Sequence, residues 1–325
     1  MRLNASYELK AYRSTWSDQS TDIKTKDGVD IHVIITERKC DIEIVASDSA
    51  VAMDYLYLIW ELLAIYDGYF YKPLSLFVDD VEQSIETLYR VSFYITDTKW
   101  VQSAQILGRN NRGLTADILE TYRCLRNKDR KSQSMEKTMI NSYFYLLSDA
   151  YKNIGIEHRL VLMMHLCDGI AIAHHNGSTK NDSGNINKIV NLLGTKKYKE
   201  GAALLDIDSN KAMDALGNTR NQLTHYNCDP QKRSLGDYIS DPDKETDSTV
   251  NLYVFYVLEV AFRVALLSAI GYTVTDDVKE YVMDENLDWI KLVKGLDEKC
   301  AIPINQLKQA VMKLSSTFDS GETVN

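Results

Sequence analysis

Val250-Asn251-Leu252-Tyr253-Val254-Phe255-Tyr256-Val257-Leu258-Glu259-Val260-Ala261-Phe262-Arg263-Val264-Ala265-Leu266-Leu267-Ser268-Ala269-Ile270 is almost continuously apolar and decides how the chain folds. A run of about 20 apolar residues either spans a bilayer or forms the central helix of a protein core. Glu259 and Arg263 stand four residues apart, the spacing at which opposite charges meet on one helix face. Asn251 and Ser268 dilute the run further. The stretch therefore reads as a buried core helix, and no membrane span is expected.

Upstream of it, from Glu136 onward, the apolar spacing is helical throughout. Met139 to Ile154 reads as one amphipathic helix and Arg159 to His174 as a second, strongly apolar one. The polar loop Asn176–Asn185 follows, then helical segments Ile186–Leu193 and Ser209–Tyr226. An acidic loop, Asp237–Asp247, precedes the core helix. Shorter amphipathic segments follow around Trp289–Val293 and Ile304–Leu314.

The first fifty residues differ. Val29–Ile35 and Asp41–Val45 are β-branched, partly alternating and separated by the charged run Thr36-Glu37-Arg38-Lys39-Cys40, as in a hairpin. Ser47-Asp48-Ser49 supplies capping side chains for a helix through Met53, Leu56, Trp60 and Leu63. Gly68 is placed to end it. Leu74–Ile95 is mixed, with helical spacing in Val81, Ile85, Leu88 and Tyr89. These patterns predict a mainly α chain: a helical C-terminal bundle behind a small mixed β/α domain. The expected divisions are 1–133, 134–275 and an acidic helical extension, 276–325.

Five cysteines without a Cys-x-x-Cys pair predict reduced thiols in the cytoplasm, neither a disulfide framework nor a zinc site. No P-loop, Gly-x-Gly-x-x-Gly, His-Glu-x-x-His or Gly-x-Ser-x-Gly is present, and no cofactor or metal is expected. The net charge of -9 argues against a general duplex-binding face, because phosphate contacts need positive surface. The basic runs at Gly108–Gly113 and Arg126–Lys131 read first as solvated loops and second as phosphate contacts.

Leu216-Gly217-Asn218-Thr219-Arg220-Asn221-Gln222-Leu223-Thr224-His225-Tyr226 resembles the Arg-polar-x(3-5)-His signature of HEPN domains. Arg159–Asp168 resembles the first long helix of the ApeA-like HEPN branch, which often has an acidic residue where Asp168 stands. Leu258–Leu267 is similar to that branch's closing helix. The resemblance covers residues 136–275 and, more loosely, the N-terminal region. It implies a metal-independent endoribonuclease acting as a homodimer, commonly an antiphage-defence, abortive-infection or toxin effector controlled by a phage-derived trigger or an antitoxin. RNA would be the substrate, cut to a 2′,3′-cyclic phosphate and a 5′-hydroxyl. Arg220, His225 and Asn221 take the catalytic positions; Tyr226, Thr224 and Asn218 are the expected substrate contacts.

The residue types suit that chemistry. Histidine titrates near neutrality and can move a proton, while the arginine fork grips phosphate oxygens as charge builds. Five residues along a regular helix advance a side chain about 7.5 Å and turn it by roughly 140°. Arg220 and His225 thus do not share one face of a straight helix, and a site shared across a two-fold axis is expected. Tyr226 directly follows His225 and position 227 is asparagine. HEPN toxins paired with nucleotidyltransferase antitoxins have their modified tyrosine two residues past the histidine. The alternative reading is a catalytically silent HEPN module for dimerisation and partner binding.

Overall fold

The computed structural model describes residues 1–9, 19–36, 39–88, 113–127, 135–147, 156–194, 199–200, 203 and 248–280. Six strands, β1 (Arg2–Glu8), β2 (Gln19–Lys24), β3 (Asp30–Ile35), β4 (Lys39–Val45), β5 (Lys72–Val78) and β6 (Val81–Glu82), form one sheet in the order β2-β3-β4-β1-β5-β6. Every pairing is antiparallel. This corrects the expected mainly α class with a small mixed β/α domain: the fold is α+β, and its sheet is a principal layer.

The β3–β4 hairpin forms where the β-branched runs predict it, with Asp30↔Val45 and Ile35↔Cys40 as its limits. Lys39 and Cys40 belong to the strand and not to the turn. β1, like β2, is a strand that the residue pattern hides. Its buried side chains are Leu3, Ala5 and Tyr7, separated by Asn4 and Ser6, a set in which only Tyr7 favours strands by itself, made into a central strand by β4 and β5 on either side. A bulge at Ser6/Tyr7 brings Pro73 of β5 opposite Tyr7. Pro73 has no ladder donor, and β6 pairs only with Phe77 and Val78, so the proline lies where β5 is the sheet edge.

The helical spacing in Val81, Ile85 and Leu88 is partly overruled. Val81 enters β6, and only Ile85–Leu88 turns, as a short 3-10 helix. Asp79 and Asp80 link β5 to β6 with φ of 46° and 65°. Two left-handed residues in a two-residue loop are what the right-handed strand twist selects, and aspartate tolerates that region. The Asp79 carboxylate also accepts from the Arg2 amide at 2.7 Å, fastening the turn to β1.

One sheet face is covered by α1 (Ser49–Asp67). Its start is capped as expected: Asp48 accepts from the Val51 amide at 3.0 Å. It ends at Gly68, whose φ of 72° and bond to the Ala64 carbonyl form a left-handed cap that favours glycine. By length and composition α1 is the only helix among the described residues able to cross a membrane, but most of its apolar window is buried in the fold.

The remaining layer holds α2 (Ala116–Asn127), α3 (Met135–Leu147), α4 (Ile156–His174), α5 (Asp182–Asn191) and α6 (Ser248–Ala269). α4 packs on α3, α5 and α6. α6 is buried on all sides from Val254 to Leu267, as its apolar sequence requires. An aromatic chain joins the two layers: Tyr7 to Trp60, Trp60 to Phe70, Phe70 to Phe144, then Tyr143 to Phe262, with ring centroids 4.8–6.2 Å apart. Sheet and helices therefore share one contiguous core.

Burial raises the phenols of Tyr7, Tyr66, Tyr71, Tyr122 and Tyr143 well above the ordinary tyrosine range. A raised folded-state pKa favours the neutral phenol, so this stabilisation is complete below pH about 10 and is lost as pH climbs higher. In a spectrophotometric base titration these five should ionise only with unfolding, as a cooperative step coinciding with loss of circular dichroism. Smooth ionisation of every tyrosine in the intact fold would contradict the packing.

Candidate functional site

The predicted site residues Arg220, Asn221, His225, Tyr226, Thr224 and Asn218 lie outside the described residues, as do the runs at 108–112 and 128–131. The two helices flanking that part of the chain, α4 and α6, are described. They touch at Arg159 against the Phe255 ring, at the Cys167 thiol on the Leu258 carbonyl (3.5 Å), and at His175 on the Ala265 carbonyl (3.2 Å). The contacts ascend together along both helices, so α4 and α6 run in the same sense.

Asp168, the acidic residue singled out on α4, is held in place by Asn185. The Asn185 amide donates to Asp168 at 2.7 Å and to the Ser178 carbonyl at 2.7 Å, while its oxygen accepts from the Ser178 amide at 2.8 Å. Asn185 is almost fully buried, at 1% exposure. It ties the loop after α4 to α5 and aims one carboxylate. The loop itself closes α4: the His175 and Gly177 amides both donate to the Ala171 carbonyl, with Asn176 at φ 54°. A Cβ on Gly177 would sit 2.6 Å from the Ala171 backbone, so the chain passes here only as glycine. Asn185→Leu should cost about 1–3 kcal/mol by stranding the polar groups it satisfies. Differential scanning calorimetry measures this, and an unchanged melting temperature would deny Asn185 the role.

His174 and His175 end α4, as their sequence position suggests. His158 and His165, seven residues apart on an apolar helix pattern that reads as core, are both exposed on α4. Among the described residues no group of three His, Cys, Asp or Glu is arranged to hold a metal ion, and Cys40, Cys124 and Cys167 are free thiols.

Arg126, weighed as a phosphate contact, is already engaged. Its Nε and Nη2 grip the two Glu61 oxygens at 2.7 and 2.6 Å, Nη1 donates to Asn141 at 2.8 Å, and Tyr122 also donates to Glu61. With its fork spent on α1 and α3, it has a clamp's geometry. Arg123, one turn earlier, donates to both Asp27 and Tyr55 at 2.8 Å. Bonds from Thr25 and Tyr55 hold the Asp27 carboxyl well below the usual carboxylate range. Burial and the bond to Asp27 push the Tyr55 phenol up to about 12. This cluster ties the β2–β3 turn to α1 and α2.

A fully buried ion pair joins α6 to α1. Arg263 and Glu259 form a 2.9 Å ion pair at 0% and 1% exposure. Tyr143 donates to Glu259 at 2.5 Å, and Arg263 donates to the Tyr66 carbonyl at 2.8 Å. The i,i+4 spacing announces the pair; the sequence contains no hint that its third and fourth members come from α3 and the end of α1. α1 carries no basic residue in its last turn, so Arg263 supplies the cation that its C-terminal carbonyls favour.

No protein-family model, curated protein or solved structure matches the chain.

Proposed function

We propose that the chain is a metal-independent endoribonuclease of the HEPN type, acting as a homodimer in the cytoplasm as an antiphage-defence or toxin effector. The observation that carries this reading is the Arg220-Asn221-Gln222-Leu223-Thr224-His225 segment, set between two helices that resemble those flanking the HEPN motif. Its support is twofold. α4 and α6 pack directly on each other, so the chain leaves and rejoins a single helical unit on either side of the motif. Asp168 on α4 is a carboxylate aimed by a dedicated partner, Asn185.

In this reading His225 transfers the proton between the 2′-hydroxyl and the leaving 5′-oxygen, Arg220 steadies the phosphate charge, and Asn221 orients them. Tyr226, Thr224 and Asn218 contact the RNA. The free thiols Cys40, Cys124 and Cys167 suit a reducing compartment.

The net charge of -9 favours a second reading, a silent HEPN module that binds a partner. RNA cleavage by the purified chain separates the two. Arg220→Ala and His225→Ala should each sharply reduce cleavage and toxicity, EDTA should leave cleavage intact, and mass measurement should give a dimer. Cleavage indifferent to both substitutions would remove the catalytic assignment, and a fully active monomer would remove the shared site.

A further inference from the structure

Among the arginines whose side chains are described, Arg2 faces Glu43, Arg123 faces Asp27, Arg126 faces Glu61 and Arg263 faces Glu259, each at 2.9 Å or less. Arg159 is the exception. Among the described residues it has no carboxylate at ion-pair distance; its Nε is buried without a hydrogen-bond partner, as is that of Arg263, which however faces Glu259. One donor, Nη2, reaches the Leu146 carbonyl at 3.4 Å, a long bond. The guanidinium lies 5.7 Å from the centre of the Phe255 ring. The residue is only partly exposed.

An unpaired cation inside a fold is costly, because lost hydration is not repaid. The position compounds the cost. Arg159 is the fourth residue of α4, and the start of a helix carries positive potential that disfavours a cation. Among the described residues every other arginine faces a carboxylate, and Arg159, at a positive helix end, faces none. A cap on α3, which has no basic residue in its last turn, accounts for the Leu146 contact but not for the unmet Nε. The ring beneath shields one face of the guanidinium without supplying negative charge. The missing partner is an anion, and the planar fork matches the paired oxygens of a phosphate.

We infer that Arg159 is the anchor of a phosphate-binding site at the start of α4. The site stands on the surroundings of Arg159; only its use for RNA rests on the ribonuclease reading. The source of the phosphate is an RNA backbone or a free phosphate ion.

The test uses the full chain carrying His225→Ala, with and without Arg159→Gln. Inorganic phosphate should raise the melting temperature above a chloride control of equal ionic strength, and Arg159→Gln should erase that difference. A short oligoribonucleotide should bind roughly ten-fold more weakly to the Arg159→Gln chain, with a salt slope smaller by about one. Arg159→Lys, keeping charge without the fork, should retain part of the binding. If Arg159→Gln fails to fold, the Nε–Hε resonance of Arg159 in the parent chain should shift on phosphate addition, and a fixed resonance overturns the site. A response to RNA alone assigns the backbone as source; a response to phosphate alone keeps the site and counts against the ribonuclease. Equal responses with and without Arg159→Gln overturn the site, even where His225→Ala abolishes cleavage.

Discussion

Arg263→Met is expected to lower the unfolding free energy by about 3–5 kcal/mol, because it leaves the Glu259 carboxylate buried without its cation. The same change strips the Tyr66 carbonyl at the end of α1 of its donor. Both helices should loosen together, since Arg263 is the contact through which α6 completes α1. A triple variant, Glu259→Leu with Arg263→Met and Tyr143→Phe, removes these three polar side chains of the network at once. It should be more stable than Arg263→Met alone, since an apolar replacement of a buried pair is often close to neutral. Urea unfolding followed by circular dichroism measures both. A loss below about 1 kcal/mol for Arg263→Met would mean that water or a neighbour rescues Glu259, and the network would not hold the layers together.

His225→Ala is expected to reduce RNA cleavage by on the order of 10²–10⁴-fold, the usual contribution of a positioned general acid–base group. Arg220→Ala should cost on the order of 10²–10³-fold by removing stabilisation of the phosphate charge. Arg220→Lys should recover only part, because an ammonium lacks the fork that spans two oxygens. The decisive readout is the product: a 2′,3′-cyclic phosphate end that disappears with His225. Neither substitution should change the unfolding free energy by more than about 0.5 kcal/mol. Loss of cleavage together with loss of fold would point to a structural part for these residues and count against catalysis.

Where local pattern and tertiary packing agree, the elements follow from the residues alone. The β3–β4 hairpin, the Asp48 and Gly68 caps of α1, and the apolar runs of α4 and α6 are of this kind. β1 and the β5–β6 hairpin are not. Leu3, Asn4, Ala5 and Ser6 have little strand preference of their own, and Asp79-Asp80 is not the asparagine-glycine pair that marks such a turn. With helical spacing in Val81, Ile85 and Leu88, and only Val29–Ile35 and Asp41–Val45 marked as strands, the sheet is legible in sequence as a lone hairpin and the chain as mainly α. The motif at Arg220 and His225 is visible in sequence because its chemistry lies in residue types at short spacing. The phosphate site is not, because an arginine announces its charge but not whether a carboxylate will meet it.

By itself the sequence determined which segments are apolar, where helices are capped, and that Glu259 and Arg263 share one face of α6. Those properties depend on neighbours within a turn or two of chain. Only the tertiary structure decided that β1 is a central strand, that Arg263 caps α1 from 197 residues away, that Arg126 is committed to Glu61, and that Arg159 meets no carboxylate among the described residues. Each depends on what burial brings together across the chain, and the energy of a buried charge is set by that company.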